Sequence, residues 1–340
     1  MIEIKGLCKT FNPGTINEVN VFDNLNLSLN EGDFITVIGG NGAGKSTLLN
    51  IISGSIEADS GMILLNNVDV SGLKEHQRAP YFGHVFQDPM KGTAPDMTVL
   101  ENLALAYARG RSRSVFRWSI RAKDKQYYID QLKSLELGLE DKMYQKVGLL
   151  SGGQRQALTL LMATMGQKPS HKKIIKDYVK FFMGDKEAAK EEISKVYKEA
   201  KEEYINKVKE IKLAHIDKEE KKAKLKEAYD EFDKKMRVYD LTKPVLLLDE
   251  HTAALDPKTA AKVLKITDRI VKENNLTTIM ITHNMKDAIT HGNRLIMMSK
   301  GKIIFDVSGE EKSKLTIEQL LEKFNSASGD SLSDAAILGD

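Results

Sequence analysis

Cysteine is almost missing from this chain of 340 residues: Cys8 stands alone. No intramolecular disulfide and no multi-cysteine metal site can therefore form. Cys8 lies in the first apolar segment and reads as a small packed residue. Long hydrophobic runs are absent as well; no stretch approaches the ~18 consecutive apolar residues that a membrane-spanning helix needs. The opening MIEIKGLCKTF has Glu3 and Lys5 interrupting its apolar pattern, so it does not read as a signal peptide, and the cytoplasm is the expected compartment. Charge of one sign is also scarce. The formal net charge is +3, too close to neutral to imply nucleic acid or an anionic membrane as partner. No internal repeat is visible.

What is present is ordinary globular material, 41% hydrophobic and 29% charged. Length alone leaves one large α/β domain with additions or two small domains open. Ile2, Ile4 and then Val21–Leu29, with Leu25, Leu27 and Leu29 on alternate positions, predict β structure with one buried face. Asp33–Ile38 is a short β-branched run leading into Gly39. Lys45–Ser53 reads as a helix whose Leu48, Leu49, Ile51 and Ile52 can pack on a sheet. Met62–Leu65 and Val85–Phe86 are further short strands. From Thr98 to about Leu139 the pattern turns helical, interrupted by a basic, weakly patterned stretch from Arg109 to Lys125 that reads as a solvated connector. Near the end, Val245–Leu248, Thr277–Thr282 and Arg294–Met298 read as strands around a helix at Lys258–Lys272. That alternation predicts a largely parallel sheet.

The run Gly39-Gly40-Asn41-Gly42-Ala43-Gly44-Lys45-Ser46 fits G-x-x-x-x-G-K-[ST] between a predicted strand and a predicted helix. Small residues let the backbone wrap a polyphosphate with its N–H groups turned inward, and the following helix N-terminus favours anions. In such a loop Lys45 reaches the β- and γ-phosphates, and the Ser46 hydroxyl, followed by Thr47, can ligate Mg²⁺. The four fixed positions recur by chance in roughly one chain of this length per hundred. The strand–loop–helix context makes nucleotide binding the better reading.

A second constellation is Val245–Leu248 followed by Asp249 and Glu250. A buried parallel strand delivers such carboxylates to the sheet edge that holds the phosphate loop. There Asp249 can hold Mg²⁺, and Glu250 can orient and deprotonate a water. Taken alone this pattern is weak, because apolar strands often end in acids at a turn.

Leu150-Ser151-Gly152-Gly153-Gln154 resembles the LSGGQ signature of ABC ATPases at all five positions. The resemblance covers residues 1–167 and 242–324. It implies a P-loop NTPase (RecA-like) α/β core with a mainly parallel sheet, an antiparallel β subdomain and a helical signature subdomain at about 88–165. It also implies roles for single residues. Phe11 resembles the aromatic that stacks on adenine. Gln87 resembles the glutamine that touches Mg²⁺ and the attacking water. Asp256, in Ala254-Leu255-Asp256, resembles the D-loop aspartate, and His283 the switch histidine at the γ-phosphate. The family implication is that ATP lies between one chain's Lys45 loop and Ser151–Gly153 of the opposite chain. Glu250, His283 and Gln87 are then the catalytic candidates, and Ser46, Gln87 and Asp249 the metal candidates.

Two departures from the family pattern stand out. His251 follows Glu250 where most of the family has proline. The DEHTAALDP segment and the opening KTFNPGTINEV resemble a bacterial branch associated with binding-protein-dependent importers, some of them linked to aromatic amino acids. The other departure is an insertion at 168–241. Across 168–243 there are 22 Lys/Arg and 17 Asp/Glu, a net of +5 that leaves the rest of the chain at −2. Apolar residues at Ile193, Val196, Ala200, Tyr204, Val208 and Ile211 form one helical stripe, and Leu225, Tyr229, Phe232 and Met236 a second. With a break at His215–Lys218, they predict an antiparallel helical hairpin with arms of roughly 30–40 Å, projecting from the side remote from ATP. Residues 325–340, rich in Ser, Asp and Gly, read as a loose tail.

The resemblance implies an ATPase, with ATP and Mg²⁺ as cofactors, that energises a membrane importer of a small molecule, an amino acid among the candidates. Its implied partners are a second ATPase subunit, read as a second copy of this chain, transmembrane permease subunits and an extracytoplasmic substrate-binding protein, with no nucleic acid. Its place would be the cytoplasmic face of the membrane. A soluble ABC ATPase acting as a mechanical clamp on ribosome or nucleic acid, and an exporter ATPase, are the alternatives that the motifs leave open.

Overall fold

A computed structural model describes residues 2–109, 120, 122–165, 171–181, 185–214, 216–237 and 245–328. Its strands are β1 (Ile2–Phe11), β2 (Val19–Leu29), β3 (Phe34–Gly39), β4 (Ser60–Leu65), β5 (Val68–Asp69), β6 (Phe82–Val85), β7 (Val245–Asp249), β8 (Thr278–Ile281), β9 (Arg294–Ser299) and β10 (Lys302–Ser308). Its α-helices are α1 (Lys45–Ser53), α2 (Glu75–Arg78), α3 (Val99–Tyr107), α4 (Ala122–Lys133), α5 (Gly152–Thr164) and α6 (His171–Phe181) in the first part. They continue as α7 (Lys186–Leu213), α8 (Lys218–Arg237), α9 (Pro257–Asn274), α10 (Met285–Thr290), α11 (Gly309–Ser313) and α12 (Ile317–Ser328). Two compact units are distinguishable. One comprises 1–63, 71–167 and 244–340, the other 64–70 and 168–243.

The first unit is organised by a six-stranded sheet in the order β10-β9-β3-β8-β7-β6. The pairs β9–β3, β3–β8, β8–β7 and β7–β6 are parallel, and β10 runs antiparallel to β9 at the edge. Phe34–Ile38 and Val245–Leu248 are buried at every position. Strands covered on both faces have no polar side to alternate with, which is why these segments read as unbroken apolar runs. The alternation in β2 has the opposite cause. Leu25, Leu27 and Leu29 are buried while Asn26 and Ser28 are exposed, as expected for a strand with one wet face. With β1, β4 and β5 it forms a four-stranded sheet in the order β2-β1-β4-β5.

Helices α3, α4 and α5 carry the next layer. The α3 N-terminus is closed by a reciprocal capping box, Thr98 with Glu101, an arrangement typically worth ~1 kcal/mol. Leu100, Leu103, Tyr128, Leu132, Leu135, Leu158 and Leu161 share one apolar cluster with Leu246 and Leu248 of β7. Of the basic stretch expected as a connector, Arg109 donates to Ala163 O at 3.3 Å and to Met162 O; residues 110–119 and 121 lie outside the described residues. The expected tail from Asn325 needs correction. α12 continues to Ser328 because Leu320 and Phe324, one turn apart, are buried against Ile38, Leu295 and Met297. Residues 329–340 lie outside the described residues.

Among the described residues the second unit holds three helices where the sequence predicted two. α7 and α8 match the two stripes, and α6 packs on both and on β5. α6 carries only a brief helical stripe in the sequence because its apolar residues Ile174, Ile175, Tyr178 and Val179 are set among lysines in a short segment. Ile193, Ala200, Phe232 and Met236 form the centre, with Ile175, Tyr178, Val179, Tyr197 and Tyr204 against it. A His171 Nε2–Asp233 Oδ1 contact of 2.8 Å ties α6 to α8. The exposed pairs Lys207–Glu231 and Lys235–Glu203 bridge α7 and α8; such solvated pairs add little, so the aromatic core carries this packing.

Candidate functional site

Gly39 ends β3 and Lys45 begins α1, so the loop between them lies at the carboxyl edge of the sheet. Gly44 caps α1 with φ +95°, a conformation that L side chains rarely adopt. A Cβ there would also stand 2.8 Å from the Phe22 ring. Ala43, Gly44 and Lys45 are buried, Gly40, Ser46 and Thr47 half-buried, and Asn41 and Gly42 exposed. The first-turn N–H groups of α1 lack intrahelical acceptors and face the loop. Lys45 Nζ donates to Gly39 O at 2.8 Å and Gly40 O at 3.0 Å. Burial pulls its pKa below the usual lysine range, while the carboxylates of Glu250 and Asp249 oppose that shift.

Strand register places the other candidates on the same edge. Val37 and Asp249 both pair with Ile281, and Val85 pairs with Leu248. Gly39 therefore ends, and His283, Glu250 and Gln87 follow, neighbouring parallel strands. Ser46 Oγ donates to Asp249 Oδ1 at 3.0 Å. Burial raises the Asp249 carboxyl above its ordinary value against the opposing Ser46 hydrogen bond, and the Glu250 charge raises it further. Glu250 Oε1 stands 2.5 Å from His283 Nε2. That hydrogen bond lowers the Glu250 pKa and keeps the carboxylate ionised. Gln87 is exposed beyond β6.

Among the described residues no cluster of three or more His, Cys, Asp or Glu is arranged to hold a metal. The Ser46–Asp249 pair nevertheless fits Mg²⁺. It offers a hydroxyl and a carboxylate oxygen to a cation that keeps most of its shell for water and phosphate. A buried carboxylate beside a second one also gains from a nearby positive charge.

The signature segment lies elsewhere in the unit. Ser151 is the N-cap of α5. Its Oγ accepts from Gln154 N at 3.3 Å, and Gln154 Oε1 accepts from Ser151 N at 3.3 Å. Gln154 also receives Lys142 Nζ at 3.1 Å and donates to Leu137 O at 3.1 Å. It is a helix-locking residue in this geometry. A Cβ on Gly153 would meet Thr259 Cγ2 at 2.2 Å, so the α5 start needs glycine to approach α9. Asp256 caps α9 through Thr259 N at 3.1 Å. Among the described residues, no hydrogen bond joins Ser151–Gln154 to the phosphate loop of its own chain. Phe11 ends β1 with Lys9 Nζ 5.4 Å from its ring centre.

Two neighbours of the site were not singled out for a role from sequence. His251 is 2% exposed, and its Nε2 lies 3.1 Å from Thr267 Oγ1 on α9. Burial, and then the charge of His291, push its pKa down to about 4, so the ring is neutral near pH 7. Phe324 of α12 backs the phosphate loop; a Cβ on Gly40 would lie 3.4 Å from its ring. The sequence signalled His251 only as a departure from a resemblance. Phe324 carried no signal, because its distance from Gly40 along the chain hides the contact.

Residues 22–171 match a family model described as ABC transporter. Over 328 residues the chain is 36% identical to the tyrosine transport ATP-binding protein of Clostridioides difficile (strain R20291), covering 96% of this chain and 100% of that protein. It is 26% identical over 327 residues to the phosphonates import ATP-binding protein PhnC of Lactococcus lactis subsp. lactis (strain IL1403), covering 95% and 99%. A solved dimeric bacterial ABC transporter cassette superposes with a TM-score of 0.58 at 22% identity, covering 91% of this chain and 98% of that one. At that identity the likeness is one of fold.

Proposed function

This chain belongs to the ABC transporter family of ATP-binding proteins, and on that basis we propose that it is the ATPase subunit of an importer of a small molecule. Nucleotide binding and ATP hydrolysis coupled to transport come with the family. An amino acid of the tyrosine class is the cargo we favour, from the relative that matches this chain end to end. Among the described residues no helix is long and apolar enough to cross a membrane. We therefore assign the membrane path to permease subunits, which hold this chain at the cytoplasmic face, and substrate capture to an extracytoplasmic binding protein.

The observation that carries the chemical reading is the pairing of Ser46 with Asp249 and of Glu250 with His283 on one sheet edge. Gly39–Thr47 bind the phosphates, with Lys45 turning from its own loop carbonyls to the anion, and Phe11 stacks on the base. Ser46, Asp249 and Gln87 would hold Mg²⁺, which would neutralise phosphate charge. Glu250, ionised, accepts a proton from the attacking water, and His283 keeps its carboxylate oriented. Ser151, Gly152, Gly153, Gln154 and Asp256 serve the nucleotide of a second copy, consistent with a signature that, among the described residues, makes no hydrogen bond to its own phosphate loop. We assign the ATPase to 1–167 and 242–324 and treat 168–241 as an insertion in it.

Glu250→Gln tests this reading. It keeps the shape and removes the base, so turnover should fall by ~10²-fold or more, while ATP should convert the protein to a stable dimer in size-exclusion chromatography with light scattering. Unchanged turnover would reject the role of Glu250. The cargo is tested by tyrosine uptake in membranes reconstituted with the cognate permease; uptake of phosphonate but not of tyrosine would reject it.

A further inference from the structure

We infer that His251 is a positioning residue for Glu250, acting through its hydrogen bond to Thr267; this rests on the reading of Glu250 as the base. Glu250 sits in the left-handed region at φ +46°, where a non-glycine residue persists only if its surroundings hold it. Three contacts hold the backbone here. Glu250 N donates to Ile281 O at 3.1 Å, Ala253 N donates to Glu250 O at 3.0 Å, and the next side chain, His251, is buried as a peg between β7 and α9. Thr267 Oγ1 donates to Val263 O at 3.0 Å. Its remaining capacity is as an acceptor, so the hydrogen in the 3.1 Å contact belongs to His251 Nε2.

The chain thus fixes the residue after its base by a directed bond to a helix rather than by a proline ring. The bond is remote from the carboxylate and touches no reacting atom. Its effect is on where the Glu250 side chain starts, and so on whether Oε1 meets His283 at 2.5 Å. A small displacement there leaves the phosphate loop intact but misplaces the base, an error that catalysis feels steeply.

Thr267→Val keeps the shape and deletes the acceptor; His251→Leu deletes the donor; His251→Gln offers an amide N–H near the Nε2 position. We expect Thr267→Val and His251→Leu to lower kcat on the order of tenfold while KM for ATP stays within about twofold, and His251→Gln to recover most of the loss. In protein free of nucleotide and metal, the His283 imidazole NMR resonances should shift in Thr267→Val and return towards wild type in His251→Gln. Folded variants with wild-type kcat and unmoved His283 resonances overturn the proposal. So does a fall in kcat and ATP affinity together, or a Thr267→Val chain that does not fold, since either makes the contact a general structural one. If His251→Leu alone fails to fold, Thr267→Val decides. Normal turnover in Glu250→Gln defeats the reading of the base itself; inactive Glu250→Gln with unaffected Thr267→Val defeats only the role given to His251.

Discussion

At the scale of single residues, burial of neutral histidines makes the protein acid-sensitive. His84 and His251 are both pushed down to about 4 by desolvation, whereas an unfolded histidine titrates near ~6.5. Between those values the unfolded chain binds protons that the folded chain refuses, so stability is complete above about pH 6.5 and is lost towards about pH 4. For fully buried His251 the loss is on the order of 3 kcal/mol. Urea unfolding at about pH 7 and about pH 5 should show a lower midpoint at the acidic value, and the drop should be smaller in His251→Gln. A midpoint indifferent to pH over that window contradicts the burial argument. The residues proposed to carry chemistry could be picked out from sequence because their types and spacing answer to phosphate and metal, which do not vary. His251 was readable only as an oddity, because its partner, Thr267, is chosen by packing.

At the scale of elements, two contacts tie helices to the site. Gly153→Ala should drive a methyl into Thr259 Cγ2 and loosen the α5–α9 contact, costing about 1–3 kcal/mol of stability by overpacking. Thr259→Ser removes the opposing methyl and should restore most of that loss in denaturant titrations. Near the phosphate loop, Phe324→Ala should cost about 3–5 kcal/mol and weaken ATP binding several-fold in nucleotide titration, because the ring packed with Ile38 close to Gly40 is lost. ATP affinity unchanged in a folded Phe324→Ala protein would separate α12 from the loop. Most strands and α1, α7, α8 and α9 were legible from their apolar patterns, whereas β5 and β10 gave no such signal and β6 lies at Phe82–Val85 rather than Val85–Phe86. α6 was hidden by its lysines, and the end of α12 by small polar residues that only the burial of Leu320 and Phe324 holds in a helix.

At the scale of the whole molecule, the residues proposed for the ATPase all belong to one compact unit and the inserted helices to another. Replacing 170–240 by a short flexible linker should therefore preserve ATP hydrolysis to within about twofold, since a separate unit contributes no group to the reaction. The same variant should be less stable, because Leu64–Val70 groups with the inserted helices and loses its packing partner. Thermal unfolding and phosphate-release assays on the deletion measure the two effects independently. Loss of hydrolysis in a well-folded deletion would show that the insertion acts on the site.

The linear order of residues was enough to determine the parallel α/β core and to propose the phosphate loop, the paired carboxylates and the signature. Each is a local pattern whose spacing is set by chain geometry and by the chemistry of its ligand. Tertiary structure alone decided which of these meet within one chain. It joined Ser46 to Asp249, which are 203 residues apart, and Glu250 to His283, while leaving Ser151–Gln154 hydrogen-bonded within its own subdomain. It also decided that His251 is buried against α9 and that Phe324 lies close to Gly40. Those facts depend on which helix packs over which strand end, and no window of sequence contains both partners.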